Sequence, residues 1–306
     1  MTQTNSVSKT KGWISAMRLR TLPLALACIV LGAFLAEAAG VFNSLIVGLC
    51  VLTAILLQIL SNFANDYGDS VHGADHVERV GPRRAVQSGT LSAVEMRRAM
   101  IVSGVLATVS GLALIIVALG VEALPLLLLF LLLGAGAIWA AVNYTAGKNP
   151  YGYAGLGDLF VLIFFGWVGV LGTYFLQAQS IVWELFLPAS SAGLLAVAVL
   201  NVNNIRDIKS DKQAGKITIP VRLGPERARI YHYCLLIMAF VLAGLYVALL
   251  YQSPWQFLFV LAAPLLLRNG TAVSRTTDPL AINPLLKQMV ITALVFDILL
   301  GLGQVL

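Results

Sequence analysis

The sequence predicts an all-α, polytopic membrane protein, and two observations support this fold class. Of the 306 residues, 59% are hydrophobic and 11% are charged, a balance too apolar for a soluble domain. The apolar residues also form stretches of about 18 to 25 residues, the length that crosses a hydrocarbon layer of about 30 Å as a helix. A membrane β-barrel would show short alternating segments instead, whereas residues 126–142 are continuously apolar and rich in small side chains.

Nine apolar segments follow one another along the chain. The first resembles a signal peptide at its ends, but its length and the eight segments behind it favour an uncleaved helix. The second and sixth end in acidic clusters, and the eighth is the shortest. We expect one transmembrane domain over residues 1–306, with residues 1–12 as a disordered tail. The approximate helix limits are 19–39, 41–64, 98–120, 122–143, 157–179, 183–205, 230–251, 254–268 and 285–306.

The placement of positive charge predicts the topology. The 20 Lys and Arg residues lie in the N-terminal segment, or in or immediately beside the connections that follow even-numbered helices. The positive-inside rule therefore puts the N-terminus in the cytoplasm and the C-terminus outside, in a cytoplasmic (inner) membrane. The net charge of +6 then needs no nucleic acid to explain it. The lipid bilayer is the expected surrounding, and no obligatory protein partner is expected.

Two acidic clusters end the second and sixth helices, both on the predicted cytoplasmic side. Spacings of three or four residues put the members of each cluster on one helix face. A carboxylate beside hydrocarbon and at a helix C-terminus is costly, so a cation should compensate it. Magnesium takes a few carboxylates together with phosphate oxygens, so the pattern predicts magnesium holding a diphosphate. The polar residues of the two clusters are Asn62, Asn65, Asp66, Asp69, Asn203, Asp207 and Asp211.

Other polar and aromatic residues can complete such a site. Asp158 opens the fifth helix, where it is either a helix-capping carboxylate or a substrate contact. Aromatic residues on the fourth and fifth helices can line an apolar cavity and stabilise a cation. The basic residues that can supply further positive charge to a diphosphate are Arg83, Arg84, Lys148, Arg206, Lys209 and Lys212.

The two clusters resemble the aspartate-rich motifs of the UbiA-type intramembrane prenyltransferases. The segments concerned are 65–69 (Asn-Asp-Tyr-Gly-Asp) and 207–211 (Asp-Ile-Lys-Ser-Asp). The resemblance implies a nine-helix bundle with Mg²⁺ as cofactor. A third acid of the first motif would stand at position 73, which is Gly73 here, and Asp75 lies two residues further on. The residues implied to act are Asp66, Asp69, Asp207 and Asp211 as metal ligands, Asn62 and Asn65 as their support, and Arg18, Tyr144, Lys148 and the basic residues after Asp207 as diphosphate contacts.

Segments 60–69, 157–166, 203–207 and 221–224 are similar to the branch of this family that acts on 1,4-dihydroxy-2-naphthoate. The similarity implies transfer of an all-trans polyprenyl group from polyprenyl diphosphate to that ring, with loss of its carboxylate and of diphosphate, to give demethylmenaquinone. One alternative is a sister enzyme that uses 4-hydroxybenzoate or another acceptor. Another is an ion-coupled transporter, which is disfavoured because the acids crowd one face of the membrane.

Overall fold

In the computed structural model, which describes residues 8–73, 81 and 83–306, every regular element is a helix. Nine helices in this range are long and apolar enough to cross a membrane, which confirms the predicted fold class. They are α1 (Lys9–Ala38), α2 (Ser44–Val71), α3 (Ala93–Leu119), α4 (Leu124–Asn143), α5 (Gly157–Ala178), α6 (Trp183–Arg206), α7 (Ile219–Leu249), α8 (Pro254–Arg275) and α9 (Pro279–Val305).

Several helices extend beyond their apolar segments on the charged side of the bundle. α2 continues for about two turns past the predicted limit, because the bundle buries its polar end: Asp66 and Asp69 are 1% and 2% exposed. α3 begins early, at a capping box in which Ser92 and Glu95 satisfy each other's backbone N–H groups. α7 starts with a short helical stretch at Ile219 and is broken at Gly224 (φ 77°, ψ 167°), so its long continuous part begins at Pro225 rather than near residue 230. Hydropathy detects the hydrocarbon-spanning part of a helix, whereas capping and burial set its ends.

α1 is interrupted near its start. It begins at Lys9, inside the expected tail, and residues 1–7 lie outside the described range. Arg18 then adopts a left-handed conformation (φ 48°, ψ 54°) that ends the first helical segment. The chain forms a 3₁₀ turn over Leu19–Thr21 and continues as an α-helix from Leu22, and the Thr21 hydroxyl donates to the Arg18 carbonyl oxygen at 2.9 Å. The break separates a short surface helix from the apolar, membrane-spanning part of α1.

α5 and α6 approach closely because two glycines face each other. A side chain at Gly166 of α5 would lie 2.6 Å from the carbonyl oxygen of Ala189 and 3.0 Å from the Cα of Gly193 on α6. Within α5, residues Leu162–Leu171 form a π-helical segment, a departure from the α-helix that often occurs at functional sites. The tight contact fixes α5, which forms one wall of the central cavity, against α6.

α6 is the most buried helix and packs against α5, α7 and α9. α1 packs against α9 on one side and against α2 on the other, and α2 packs against α3. α4 is the least buried of the nine helices. Many large apolar side chains on the outer helix faces are exposed, among them Leu132 (71%), Ile237 (60%) and Leu267 (65%). Such a surface is stable only in contact with lipid.

Candidate active site

The helices enclose a cavity of about 610 Å³ with two chemically different ends. Its polar end contains Asn62, Asn65 and Asp69 of α2, together with residues of α1, α6 and α9. On α2 the lining runs from Asp69 back to Cys50, roughly 28 Å along the helix axis. The lining at the other end is apolar and is formed by Ile29, Leu114, Ile115, Phe130 and Leu176. This shape suits an amphiphile with a charged head and a long apolar tail.

The first acidic cluster lies on the last two turns of α2, and its two carboxylates have different partners. Asp66 accepts hydrogen bonds from the backbone N–H groups of Ala85 and Val86, at 3.0 and 3.1 Å. Asp69 forms an ion pair with Arg84 and accepts a hydrogen bond from the Tyr153 hydroxyl at 2.9 Å. Asp66 therefore holds the connection between α2 and α3, whereas Asp69 faces the cavity.

The two asparagines of this cluster also line the cavity. The Asn62 amide donates to the Met17 carbonyl oxygen at 2.9 Å and to the Thr21 hydroxyl at 3.1 Å. The Asn65 side-chain oxygen accepts from the Thr145 hydroxyl at 2.9 Å. These bonds tie α2 to the break in α1 and to the connection after α4. The two asparagines thus hold the α1 break and the connection after α4 beside the acidic end of α2.

The second cluster departs from the single helix face expected from its spacing. α6 ends at Arg206, Asp207 caps it (φ −97°, ψ 7°), and Asp211 lies on a separate short helix, Ile208–Gln213. At this turn the Arg206 guanidinium donates two hydrogen bonds to the Asp207 carboxylate, from Nε at 2.8 Å and from Nη2 at 2.6 Å, a charge-assisted bidentate contact. Arg206 also donates to Asn203 at 2.8 Å and to Asn283 of α9 at 3.0 Å.

Asp211 faces Lys216, a residue that the two motifs do not indicate. The Lys216 ammonium lies 3.8 Å from Asp211 Oδ1, and both side chains are buried. The other carboxylate oxygen, Oδ2, is buried and has no hydrogen-bond partner. Burial raises the pKa of Asp211 to about 6 although Lys216 opposes the shift. Burial lowers the pKa of Lys216, but Asp69 and Asp211 outweigh that effect and raise it above its ordinary value.

The connection between α4 and α5 contributes two tyrosines. The Lys216 ammonium lies 5.8 Å from the ring centroid of Tyr144 and 5.7 Å from that of Tyr153, within the range of a cation–π contact. Burial raises the pKa of Tyr144 to about 12 and also raises that of Tyr153, beside Asp69. Both hydroxyl groups are therefore protonated at neutral pH. Tyr144 was expected at the site from sequence, whereas Tyr153 was not.

The other predicted residues are distributed unevenly. Arg18, Arg84, Asn203 and Tyr144 line the cavity, and Arg83 and Arg206 line a small polar pocket beside it.

Lys148, Lys209 and Lys212 are exposed and are not part of the cavity lining. Asp158 accepts a hydrogen bond from Tyr231 of α7 at 2.9 Å and does not line the cavity either. Asp75 lies outside the described residues. The polar residues that line the cavity without being indicated by the motifs include Arg20, Asn283, Lys287 and Lys216.

Comparison with known proteins gives the family. The model of the UbiA prenyltransferase family matches residues 25–291, which is most of the chain. The chain belongs to the UbiA prenyltransferase family. This finding agrees with the resemblance carried by the two aspartate-rich motifs.

Named UbiA relatives are similar over nearly the whole chain. The 1,4-dihydroxy-2-naphthoate octaprenyltransferase of Escherichia coli is 48% identical over 297 residues, covering 97% of this chain and 96% of the relative. The protein of the same name from Mycobacterium tuberculosis is 37% identical, covering 95% and 97%. A solved UbiA homologue from Archaeoglobus fulgidus, bound to DMAPP and Mg²⁺, has the same fold at a TM-score of 0.59 and 18% identity, covering 94% of this chain and 98% of that one.

The acids of this UbiA protein can be compared with what a magnesium ion needs. Among the described residues, no three acidic, histidine or cysteine side chains converge closely enough to hold a metal ion by themselves. Mg²⁺ commonly binds through one or two carboxylates plus phosphate oxygens and water, so this donor set fits a metal that arrives with a phosphate group. Asp69 and Asp211 are the suitable pair because both interact with the same buried ammonium and Asp211 Oδ2 is unpartnered.

Proposed function

We propose that this protein is an intramembrane prenyltransferase that transfers a polyprenyl group from polyprenyl diphosphate to 1,4-dihydroxy-2-naphthoate. The observation that carries the proposal is the cavity, which has acids and bases at one end and an apolar lining along the rest of its length. A diphosphate head and an isoprenoid tail match these two ends. Identity of 48% to a named octaprenyltransferase over nearly the full chain supports the choice of reaction.

The reaction breaks the bond between the allylic carbon and the diphosphate oxygen and forms a bond from that carbon to the naphthoate ring, with loss of the carboxylate. Negative charge grows on the leaving diphosphate during the first step. Groups that stabilise this charge more strongly in the transition state than in the ground state accelerate the reaction. Arg84 and Lys216, both buried at the polar end, are positioned to do so. The low dielectric of the site strengthens their effect.

Aromatic rings occupy the wall where the allylic cation would form. Tyr151 stacks on Phe160 at a centroid distance of 4.0 Å, and Tyr144 contacts Tyr151 edge to face at 5.4 Å. All three line the cavity. Ring faces stabilise a nearby cation, and the apolar surroundings keep out water that would otherwise capture it.

We infer that magnesium is the cofactor. Asp69 and Asp211 would hold it, and Asp66 and Asp207 remain the further ligands implied by the family pattern. Bound magnesium would supply charge neutralisation of the diphosphate. Asp66 and Asp207 would have to release part of their present hydrogen bonds to reach the metal. We propose Lys148, Lys209 and Lys212, which are exposed, as further contacts of the diphosphate, as the family pattern implies.

We also propose that the site faces the cytoplasm and that the membrane is the inner membrane. The connections that carry the site, after α2, α4 and α6, are the ones rich in Lys and Arg, which supports this orientation. An odd number of spans then puts the C-terminus outside.

Product formation by membranes that contain the protein tests the proposed function. The membranes receive a polyprenyl diphosphate with either 1,4-dihydroxy-2-naphthoate or 4-hydroxybenzoate, and with either Mg²⁺ or a chelator. We expect a prenylated naphthoquinol that forms only with the metal. Product from 4-hydroxybenzoate alone would assign the sister reaction, and absence of product from both acceptors would contradict a prenyltransferase.

A further inference from the structure

Lys216 is a buried cation placed between the two acidic clusters. Its side chain is 6% exposed and lines the cavity. The ammonium lies 3.8 Å from Asp211 of the second cluster. It also lies 5.7 Å from the ring of Tyr153, whose hydroxyl donates to Asp69 of the first cluster at 2.9 Å. A buried ammonium is stable only where carboxylates compensate it. Lys216 therefore compensates negative charge in both clusters.

Backbone contacts hold the Lys216 segment at this place. The N–H of Ile217 donates to the Tyr153 carbonyl oxygen at 2.9 Å, and the Tyr153 hydroxyl donates to Asp69 at 2.9 Å. The Lys216 N–H donates to the Asp211 carbonyl oxygen at 2.8 Å. The connections after α4 and α6 and the end of α2 thus meet around this ammonium. Only its four-carbon side chain has the freedom to move without disturbing these bonds.

A divalent cation bound to Asp69 and Asp211 would compete with this ammonium. Two positive charges a few ångströms apart in a buried site repel strongly, so the ion and the Lys216 ammonium cannot both stay beside the two carboxylates. A diphosphate that accompanies the metal offers the ammonium a new partner, because Lys is a compact charge with three donors that suits phosphate oxygens.

We propose that Lys216 is a resident counter-cation of the metal site. Its ammonium balances the charges of Asp69 and Asp211 while the site holds no metal, and it competes with the metal for these carboxylates. When metal and diphosphate enter together, the ammonium moves from the carboxylates to the diphosphate oxygens. This inference rests on the proposed function for the identity of the diphosphate, but its competition with a metal does not depend on the acceptor or on turnover.

Manganese binding to the full-length protein in detergent, measured by electron paramagnetic resonance without any substrate, tests the competition. Lys216→Gln removes the charge, so we expect Mn²⁺ to bind at least about tenfold more tightly than to wild type. Lys216→Arg keeps the charge and should leave the affinity within about threefold of wild type. Lys11→Gln removes an exposed lysine elsewhere and should change nothing. Equal or weaker Mn²⁺ binding by Lys216→Gln would overturn the proposal.

Thermal unfolding gives a second readout that needs no substrate. In chelator, Lys216→Gln should unfold at a lower temperature than wild type, because buried Asp211 loses its counter-ion and Asp69 keeps only Arg84. Mg²⁺ should stabilise this variant more than it stabilises wild type. If Lys216→Gln can be purified only with Mg²⁺, that dependence supports the proposal. Failure of both Lys216 variants to fold with or without Mg²⁺ would overturn it, because packing rather than charge would then be the requirement.

Turnover separates this inference from the proposed function. With saturating Mg²⁺ and polyprenyl diphosphate, Lys216→Gln should lose about 100-fold in kcat, because the variant lacks the cation that stabilises the leaving diphosphate. A wild-type protein that forms no prenylated product would contradict the proposed function whatever the Mn²⁺ titration gives. A wild-type protein that forms product, beside a variant with unchanged Mn²⁺ affinity and unchanged kcat, would contradict only the role of Lys216.

Discussion

At the scale of single residues, the four motif aspartates have four different environments. Asp66 is bound by two backbone N–H groups, Asp69 by Arg84 and Tyr153, and Asp207 by Arg206. Asp211 alone pairs with a more distant ammonium and keeps one buried oxygen unpartnered. Identical side chains in two similar motifs should therefore respond differently to substitution.

Asp211→Asn should remove most activity and leave the protein folded. The amide keeps the shape of the side chain but cannot contribute a full negative charge to a bound cation, so we expect kcat to fall about 100-fold or more. Turnover of purified protein over a range of Mg²⁺ concentrations measures the effect. Glu226→Gln, which removes an exposed carboxylate, is the control. Turnover by Asp211→Asn within a few-fold of wild type would exclude Asp211 as a ligand.

Asp66→Asn should destabilise the protein as well as inactivate it. One of the two backbone N–H groups, of Ala85 or Val86, would face an amide NH₂ instead of a carboxylate oxygen. Leaving a buried donor unsatisfied costs about 1–3 kcal/mol. The thermal unfolding temperature in detergent should fall, and excess Mg²⁺ should not restore it. Full recovery of stability with Mg²⁺ would show that Asp66 acts mainly as a metal ligand.

At the scale of elements, the sequence predicts the spans well and the ends of helices poorly. Runs of apolar residues locate each crossing, because the hydrocarbon layer imposes length and composition. The last turns of α2 are polar and yet helical, since the bundle buries Asp66 and Asp69. Lys216 and Tyr153 could not be predicted from the sequence because they belong to connections. No periodic pattern there distinguishes Lys216 as a site residue from the nearby Lys209 and Lys212.

The close contact between α5 and α6 gives a prediction at this scale. Gly166→Ala would place a methyl group 2.6 Å from a carbonyl oxygen of α6, so the helices must separate, at a cost of about 1–3 kcal/mol. Gly244→Ala on α7 meets nothing within 4 Å and should be neutral or stabilising by up to about 1 kcal/mol. Thermal unfolding of both variants in detergent compares them. Equal stability of the two would mean that α5 and α6 do not pack as described.

At the scale of the whole molecule, function follows from a cavity that neither sequence motif describes. The motifs indicate where a charged head binds. The apolar part of the cavity, here called the bore, is lined by α1, α2, α3 and α5 and extends to the apolar end near Leu114 and Leu176. The sequence indicates only part of this lining, the aromatic residues Phe160, Phe164 and Phe165 of α5. The rest consists of ordinary apolar helix residues that only packing brings together.

Narrowing the bore should change the preference for prenyl chain length. Gly111 of α3 lines the cavity, and a side chain there would meet nothing closer than Thr53 at 3.9 Å. Gly111→Leu should therefore lower kcat/KM about tenfold for long polyprenyl diphosphates and leave geranyl diphosphate nearly unaffected, since the added side chain displaces only the distal tail. Gly48→Leu, on an exposed face of α2, is the control. An equal loss with both substrates would argue against a tail along this bore.

The most direct test of the account is an experimental structure with Mg²⁺ and a slowly ionising thiodiphosphate analogue of the polyprenyl substrate. We expect the metal to bridge the diphosphate to Asp69 and Asp211, the Lys216 ammonium to contact a phosphate oxygen at about 3 Å, and the tail to follow the apolar lining toward Leu176. A diphosphate bound away from both acids, or a tail that leaves the polar end without entering the bore, would contradict it.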